Sequence, residues 1–380
     1  MPHRPPDRLP GSRPACDRGR DLETIAAGFD IGPVIGPIEP LGKGLINDTF
    51  RLAAGSGRYV LQRVNAQVFP RPEQIMANLD VLAAHAAGAE GLRVPALIRA
   101  RDGRSFLRTD AGEVWRLMEL IPDAVNLPRI EISSQAQEVG AAVGRFHRLT
   151  RDLAPERLGL SLPGFHQTPN YLARHLGVRR EASAGEGPEI QGLFGCIDAR
   201  RGLAGVLERA LAAGRIRLRV IHGDPKLDNI LFHREDGRAL ALIDLDTVQP
   251  GLIQHDIGDC LRSCCNRRGE STDGAGGVRF DLDLCADILA AYGAETRDFL
   301  EEGDIEVLYD SIRLMPFELG LRFLTDHLEG DRYFRVSHRG ENLRKAGIQF
   351  ALLEDIEDHE REIRAIIAQA FPGAAGRHQP

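Results

Sequence analysis

The chain has 380 residues, with 48 Lys and Arg against 55 Asp and Glu, a formal net charge of −7 and a pI near 6. That balance gives no support for a nucleic-acid partner, and no run approaches the roughly 18 apolar residues that a membrane span needs. At roughly 100–200 residues per domain the length predicts two lobes of one soluble, cytoplasmic protein. Six cysteines (Cys16, Cys196, Cys260, Cys264, Cys265 and Cys285) are spaced for neither a zinc knuckle nor a disulfide framework. Cys260 and Cys264 lie one helical turn apart and read as small hydrophobes on a buried face, with no metal at sulfur.

Residues 1–22 are rich in Pro, Arg, Gly and Asp, so they read as a disordered tail without the apolar segment of a secretory signal. Residues 23–122 form the first expected lobe. A Gly-containing turn (Gly42, Gly44, Asn47) leads into a strand over Thr49–Leu52, and a short loop gives a second strand over Tyr59–Val64. Glycines in such a hairpin can bring backbone N–H groups close to phosphates, or simply make the turn. A helix is expected over Arg71–Ala87, with Pro72 at its start and Ile75, Met76, Leu79, Leu82 and Ala83 on one face. Strand-like runs follow at Val94–Ile98, Ser105–Arg108 and Val114–Leu120, the last stopped by Pro122.

Residues 123–372 read as a mainly helical second lobe. Ser133-Ser134 can cap a helix whose apolar face is Ala136, Val139, Val143, Phe146 and Leu149; its His147 reads as a packing or hydrogen-bonded residue. A polar, Gly-rich loop is expected over Arg179–Pro188, and a helix over Ile197–Leu211. Three short strands are then expected at Arg219–Ile221, Ile230–Phe232 and Ala239–Ile243. The loop between the first two carries Asp224 and Asn229, and Asp244 ends the third; their hard oxygen atoms suit Mg²⁺ if they converge. Asp246, two residues after Asp244, is expected on the same side of a strand. The last third contains a long helix over Leu308–Leu328, with Pro316 inside it, then a loop over Gly330–Phe334.

His222-Gly223-Asp224, Asn229 five residues after that Asp, and Asp244 on the next strand resemble the catalytic loop of protein kinases and of the aminoglycoside phosphotransferase family. The resemblance implies a two-lobed α+β, protein-kinase-like fold: a small antiparallel-sheet lobe with one helix covering ATP, and a larger helical lobe holding the catalytic loop. It implies that Asp224 orients the acceptor hydroxyl and takes its proton, and that Asn229 and Asp244 hold Mg²⁺ on the phosphates. Asp256 is implied as a brace of the loop through backbone bonds, with His222 as further support. Nucleotide contacts are implied at Gly42, Gly44, Asn47 and Thr49, and at backbone groups of Glu119–Ile121. Where kinases carry a strand Lys that contacts the phosphates, this chain has Gln62, with Arg63 beside it on the opposite face, and both are expected among the nucleotide-binding residues.

Three longer segments, LQRVNAQVFPRPEQIMANL, DLDTVQPGLIQHDIGD and ELGLRFLTDHLEGDRYF, resemble the N-acetylhexosamine 1-kinase branch of that family. This implies phosphorylation of the anomeric hydroxyl of a small sugar, N-acetylglucosamine or N-acetylgalactosamine, with Arg322, Tyr333 and Asp246 beside Asp224 as substrate-binding residues. Arg322 supplies a fork of donors for ring hydroxyls. The rival readings are a kinase for another hydroxyl compound (an aminoglycoside, choline or homoserine) and a nucleotide-binding pseudokinase.

Overall fold

The computed structural model describes residues 15–42, 46–55, 57–89, 91–181, 187–269 and 276–372, and the chain divides into two units. The first comprises residues 1–76 and 95–121, the second residues 77–94 and 122–380. Among the described residues no helix is long and apolar enough to cross a membrane.

In the first unit, α1 (Ala15–Ala26) precedes three antiparallel strands, β1 (Val34–Pro40), β2 (Asp48–Ala54) and β3 (Gly57–Val64). The chain returns to the sheet after α2 (Pro72–Ala86), adding β4 (Leu97–Ile98), β5 (Leu107–Arg108) and β6 (Val114–Glu119). The sheet order is β1-β2-β3-β6-β4, with β5 also on β6. Alternation along these strands sends Leu52, Tyr59, Leu61 and Leu117 to one face, where they pack with Phe29 and Ile31. The end of the stretch read as a tail is therefore structural: α1 presents Leu22, Ile25 and Ala26 to this core. Residues 1–14 lie outside the described part.

In the second unit the elements are β7 (Ala124–Val125), α3 (Ser133–Thr150), α4 (Thr168–Glu181), α5 (Pro188–Ala199), α6 (Val206–Ala212), β8 (Arg219–Ile221), β9 (Ile230–His233), β10 (Ala239–Leu242), β11 (Gln249–Gly251), α7 (Ile253–Cys264), α8 (Leu282–Thr296), α9 (Glu302–Glu306), α10 (Leu308–Leu328), α11 (Glu341–Asp358) and α12 (Glu360–Ala370). Two small antiparallel sheets, β10-β9-β7 and β11-β8, carry the polar loops. Helices α3 and α8 touch backbone to backbone: a Cβ on Gly140 would fall 2.1 Å from Ile288 O, so no larger residue fits. Leu314, Phe317, Leu321 and Leu324 of α10 meet Ala346, Phe350 and Leu353 of α11 in a common core.

Several boundaries differ from the sequence reading. Residues 77–94 belong with the second unit, because Asn78 Nδ2 donates to Gly159 O and Val248 O, both at 2.8 Å, and Arg93 N–H donates to Leu240 O. Ser133-Ser134 do not cap α3; the Gln135 side chain does, accepting from the N–H groups of Glu131 and Ile132. The helix expected over Ile197–Leu211 is broken into the end of α5, a 3₁₀ turn at Arg201–Gly205 and α6, where Gly202 and Gly205 interrupt the periodicity. Residues 182–186 of the expected loop lie outside the described part, and its flanks are the ends of α4 and α5.

Candidate active site

The loop after β8 is held at each backbone polar group from His222 N to Asp224 O. Asp256, on the first turn of α7, accepts from His222 N–H at 2.7 Å and from Gly223 N–H at 2.8 Å. Thr247 Oγ1 donates to His222 O at 2.8 Å, and Asn229 Nδ2 donates to Asp224 O at 2.8 Å. His222 Nδ1 accepts from Asp224 N–H at 3.2 Å while its Nε2 lies 3.0 Å from Ile243 O, an arrangement that calls for the neutral Nε2–H tautomer. Burial accordingly depresses the His222 pKa. Gly223 has φ +87, and a Cβ there would lie 2.8–2.9 Å from Thr247 atoms, so the position requires glycine on both counts. Asp256 is fully buried; burial pushes its carboxyl up, but its bond to His147 Nε2 (2.9 Å) and the loop N–H groups hold it below the usual range.

Asp224 itself receives two donors on one oxygen. Lys226 Nζ lies 2.6 Å and Asn229 Nδ2 3.0 Å from Oδ2, and Oδ1 takes neither bond. Burial lowers the Lys226 pKa, and the carboxylates of Asp224 and Asp244 more than reverse it, so Lys226 stays charged. With Nδ2 committed to Asp224, Asn229 turns its carboxamide oxygen away from that residue, and its backbone O accepts from Ile243 N–H, the neighbour of Asp244. Asp244 has left-handed backbone (φ 62, ψ 50) and opens a 3₁₀ turn at Leu245–Thr247. The strand alternation expected to bring Asp246 to the side of Asp244 is therefore absent; Asp246 is buried in the turn. A carboxamide oxygen and a carboxylate on adjoining segments are a fitting donor pair for Mg²⁺, which ordinarily completes its shell with phosphate oxygens and water.

A second polar cluster adjoins the loop in the same unit. His166 Nε2 lies 2.9 Å from Gly223 O and Nδ1 2.8 Å from Glu318 Oε1, and Thr168 Oγ1 donates to Glu318 Oε2 at 2.6 Å. Glu318, Arg322 and Asp326 follow one another at four-residue spacing along one face of α10. The Arg322 guanidinium is 3.9 Å from Glu318 Oε1 and lies 5.2–5.8 Å from the ring centroids of Phe165, Tyr171, Tyr333 and Phe334. Asp326 accepts the N–H groups of Arg332, Tyr333 and Phe334, which fixes the loop that brings the last two rings to Arg322.

In the first unit, Gly42 has φ +72, and Asn47 Oδ1 accepts from Asn65 N–H, which ties the turn to the end of β3. Gly44 lies outside the described residues. Gln62 Nε2 donates to Thr49 Oγ1 at 2.9 Å, and Gln62 Oε1 accepts from Arg116 Nε (2.9 Å) and Nη2 (2.6 Å), its cross-strand neighbour on β6. The buried cation beside the Gln62 position is thus Arg116. Arg63 turns the other way, pairing with Asp48 and Glu113 over the Trp115 ring. Glu119 N–H donates to Ala96 O and Leu120 N–H to Arg58 O, so the backbone donors of these two are used inside the sheet.

Lys226, His166 and Arg116 were not singled out from sequence, and Glu318 only as an ion-pair partner of Arg322. Lys226 had a local signal, two residues after Asp224; Glu318 stands one turn before Arg322. His166 is 57 residues from Gly223 and Arg116 is 54 from Gln62, so neither pairing is visible without the fold.

This architecture has solved counterparts. A microcompartment-associated aminopropanol kinase superposes with a TM-score of 0.62 at 18% identity, covering 91% of this chain and 98% of the other. Spectinomycin phosphotransferase in complex with ADP and spectinomycin matches with a TM-score of 0.56 at 12% identity, over 90% of this chain and 98% of the other. Choline kinase from Cryptosporidium parvum Iowa II matches with a TM-score of 0.56 at 13% identity, over 89% and 93%. At these identities the likeness establishes the kinase-like α+β fold, an antiparallel sheet in the N-terminal part and helices in the C-terminal part. The family description "Phosphotransferase enzyme family" matches residues 37–297, more than half of the sequence and including the whole stretch from His222 to Asp256: the chain belongs to the phosphotransferase enzyme (APH) family.

Proposed function

We propose that this protein is an ATP- and Mg²⁺-dependent kinase of a small hydroxyl compound, most specifically of the anomeric hydroxyl of an N-acetylhexosamine. In this reading the acceptor oxygen attacks the γ-phosphorus of ATP, the new O–P bond forms as the bond to the β-phosphate oxygen breaks, and ADP leaves. The hydroxyl proton passes to Asp224, whose Oδ1 takes no bond among the described residues while Lys226 and Asn229 hold Oδ2. Asn229 and Asp244 would hold Mg²⁺, which when bound supplies neutralising charge at the phosphates. Arg116, carried beside Gln62, supplies the buried cation of the first unit in place of a strand Lys.

The observation that carries the substrate class is Arg322 inside its four rings. Aromatic boxes of this kind hold ammonium groups well, but here the guanidinium of the protein fills the box, with Tyr333 partly exposed beside it. A cationic acceptor brought to about 5 Å from that charge would meet repulsion of at most about 3 kcal/mol at the effective dielectric of a protein surface, offset in part by the Glu318 carboxylate 3.9 Å from Arg322. Ring faces together with a planar donor fork instead match the apolar faces and hydroxyls of a sugar. The rival is an amino-alcohol kinase, favoured by the likeness to aminopropanol and choline kinases.

The deciding experiment is ATP consumption with Mg²⁺ over a panel of N-acetylhexosamines, simple hexoses, an aminoglycoside, choline and homoserine. A sugar 1-phosphate detected by ³¹P NMR from N-acetylglucosamine or N-acetylgalactosamine is the expected outcome. Turnover of the amines alone would overturn the substrate class, and ATP binding without turnover of any acceptor would favour a pseudokinase.

A further inference from the structure

The grip on the catalytic loop has one member that comes from a remote part of the chain. Asp256, Thr247, Asn229 and the His222 ring all lie between residues 222 and 256, whereas the donor to Gly223 O is His166. His166 also has left-handed backbone (φ 56), a conformation that non-glycine residues adopt at a cost and keep where the surroundings enforce it. Its two ring nitrogens face two acceptors, Gly223 O at 2.9 Å and Glu318 Oε1 at 2.8 Å, so both bonds form only if the ring is doubly protonated.

The surroundings support that charge. From α10, Glu318 is a fully buried carboxylate: burial pushes it up, but the charge of His166 and their bond outweigh this and bring it down to about 2. Burial pulls His166 down and Glu318 more than compensates, leaving it above its ordinary value. From α7, Asp259 adds a favourable charge, while the His255 ring stacks on His166 at 4.8 Å and is held neutral, down to about 3, by burial and by the neighbouring imidazolium. Arg322, 3.9 Å from Glu318, is the remaining cation on the α10 side.

We infer that the His166 imidazolium, locked by Glu318, is a positioning residue for Asp224: it pins the carbonyl of Gly223 and so fixes the left-handed turn from which the Asp224 side chain departs. The inference rests on the reading of Asp224 as the group that takes the acceptor proton. Thr168 and Arg322 complete the Glu318 carboxylate, so the same carboxylate that locks His166 also touches the residue assigned to the acceptor. A ring without its second proton would leave either Gly223 O or Glu318 Oε1 buried without a donor.

The test combines kinetics with a measurement that needs no acceptor. Variants His166→Leu, His166→Gln and Glu318→Gln are compared with the wild type for kcat and KM, and for melting temperature. His166→Leu is expected to lower kcat at least about 10-fold with KM for ATP within about threefold, the pattern of a lost alignment rather than lost binding. His166→Gln, which keeps one N–H for the Gly223 carbonyl, falls between the two. A folded His166→Leu protein with wild-type kcat overturns the proposal. In ¹⁵N-histidine NMR the His166 ring, assigned by its loss in His166→Gln, is expected doubly protonated at pH 7 in the wild type and singly protonated in Glu318→Gln, with the Asp224 amide shifted in both variants. A neutral wild-type ring, or an Asp224 amide that does not move, overturns the proposal even if every acceptor in the panel fails. Failure of the panel alone overturns the functional reading and not this one.

Discussion

Asp224 is held by its neighbours at one oxygen, Oδ2, and in the proposed reaction acts with the other. Removing the charge while keeping the shape isolates that role, because Asp224→Asn retains an acceptor for Lys226 or Asn229 but cannot take a proton. The expected result is a fall in single-turnover phosphoryl transfer of about 10²–10⁴-fold, the usual contribution of a positioned base, with the melting temperature little changed. Near-normal transfer by a folded Asp224→Asn protein would remove Asp224 from the chemistry. At this scale the sequence is informative where partners are close along the chain: Asp224 and Asn229 precede and Asp244 follows the single β9–β10 hairpin, so the three candidates can be picked out by spacing. It was silent where a partner arrives through the fold, as Arg116 does through the β3–β6 register and His166 through its loop before α4.

Helix α10 shows what an element adds. Its apolar spacing made the whole span from Leu308 to Leu328 readable, Pro316 included, because a buried helix declares itself over many turns. Its polar stripe carried a second message that periodicity alone does not decode: Glu318 toward His166, Arg322 into the ring box, and Asp326 onto the following loop. The same limit explains α1, hidden by a Pro- and Arg-rich flank, and the Asp244–Asp246 segment, where left-handed backbone ended the strand that alternation assumed. Asp326 gives the element-scale test. In Asp326→Ala three backbone N–H groups lose their acceptor, and Asn342 Nδ2 keeps only Asp331 of its two. Each hydrogen bond to a charged group contributes about 1.5–3 kcal/mol, and the loop N–H groups recover part of that from water. A net loss of about 2–4 kcal/mol by urea denaturation is expected, together with a higher KM for the acceptor and little change in KM for ATP, since Tyr333 and Phe334 are released from Arg322. A rise confined to the KM for ATP would separate this loop from the acceptor site.

Across the whole molecule, buried histidines set how stability responds to acid. His175 is brought down to about 4, by burial and then by Arg179, and His255 to about 3, by burial and then by His166; His222 is lowered in the same direction by burial. A histidine whose folded pKa is depressed contributes stability above its unfolded value of about 6.5 and loses it as pH falls toward the folded value. His166 is the opposite case: raised when folded, it contributes fully below about 6.5 and loses its contribution as pH rises through its folded pKa. The acid side has the larger number of groups. Between about pH 6 and pH 4 each unfolded-state proton that the folded protein refuses costs about 1.4 kcal/mol per pH unit, so His175 and His255 together give a slope of about 3 kcal/mol per unit. Glu318 and Asp256, held low by their histidine partners, add their own loss only below about pH 4.5. His175→Gln keeps a partner for Thr325 Oγ1 and removes the titrating ring, so its stability plotted against pH should be flatter by about one proton over this window. Urea midpoints at half-unit pH steps measure that difference directly, and parallel wild-type and variant curves would mean that the His175 ring is not carried neutral in the folded protein.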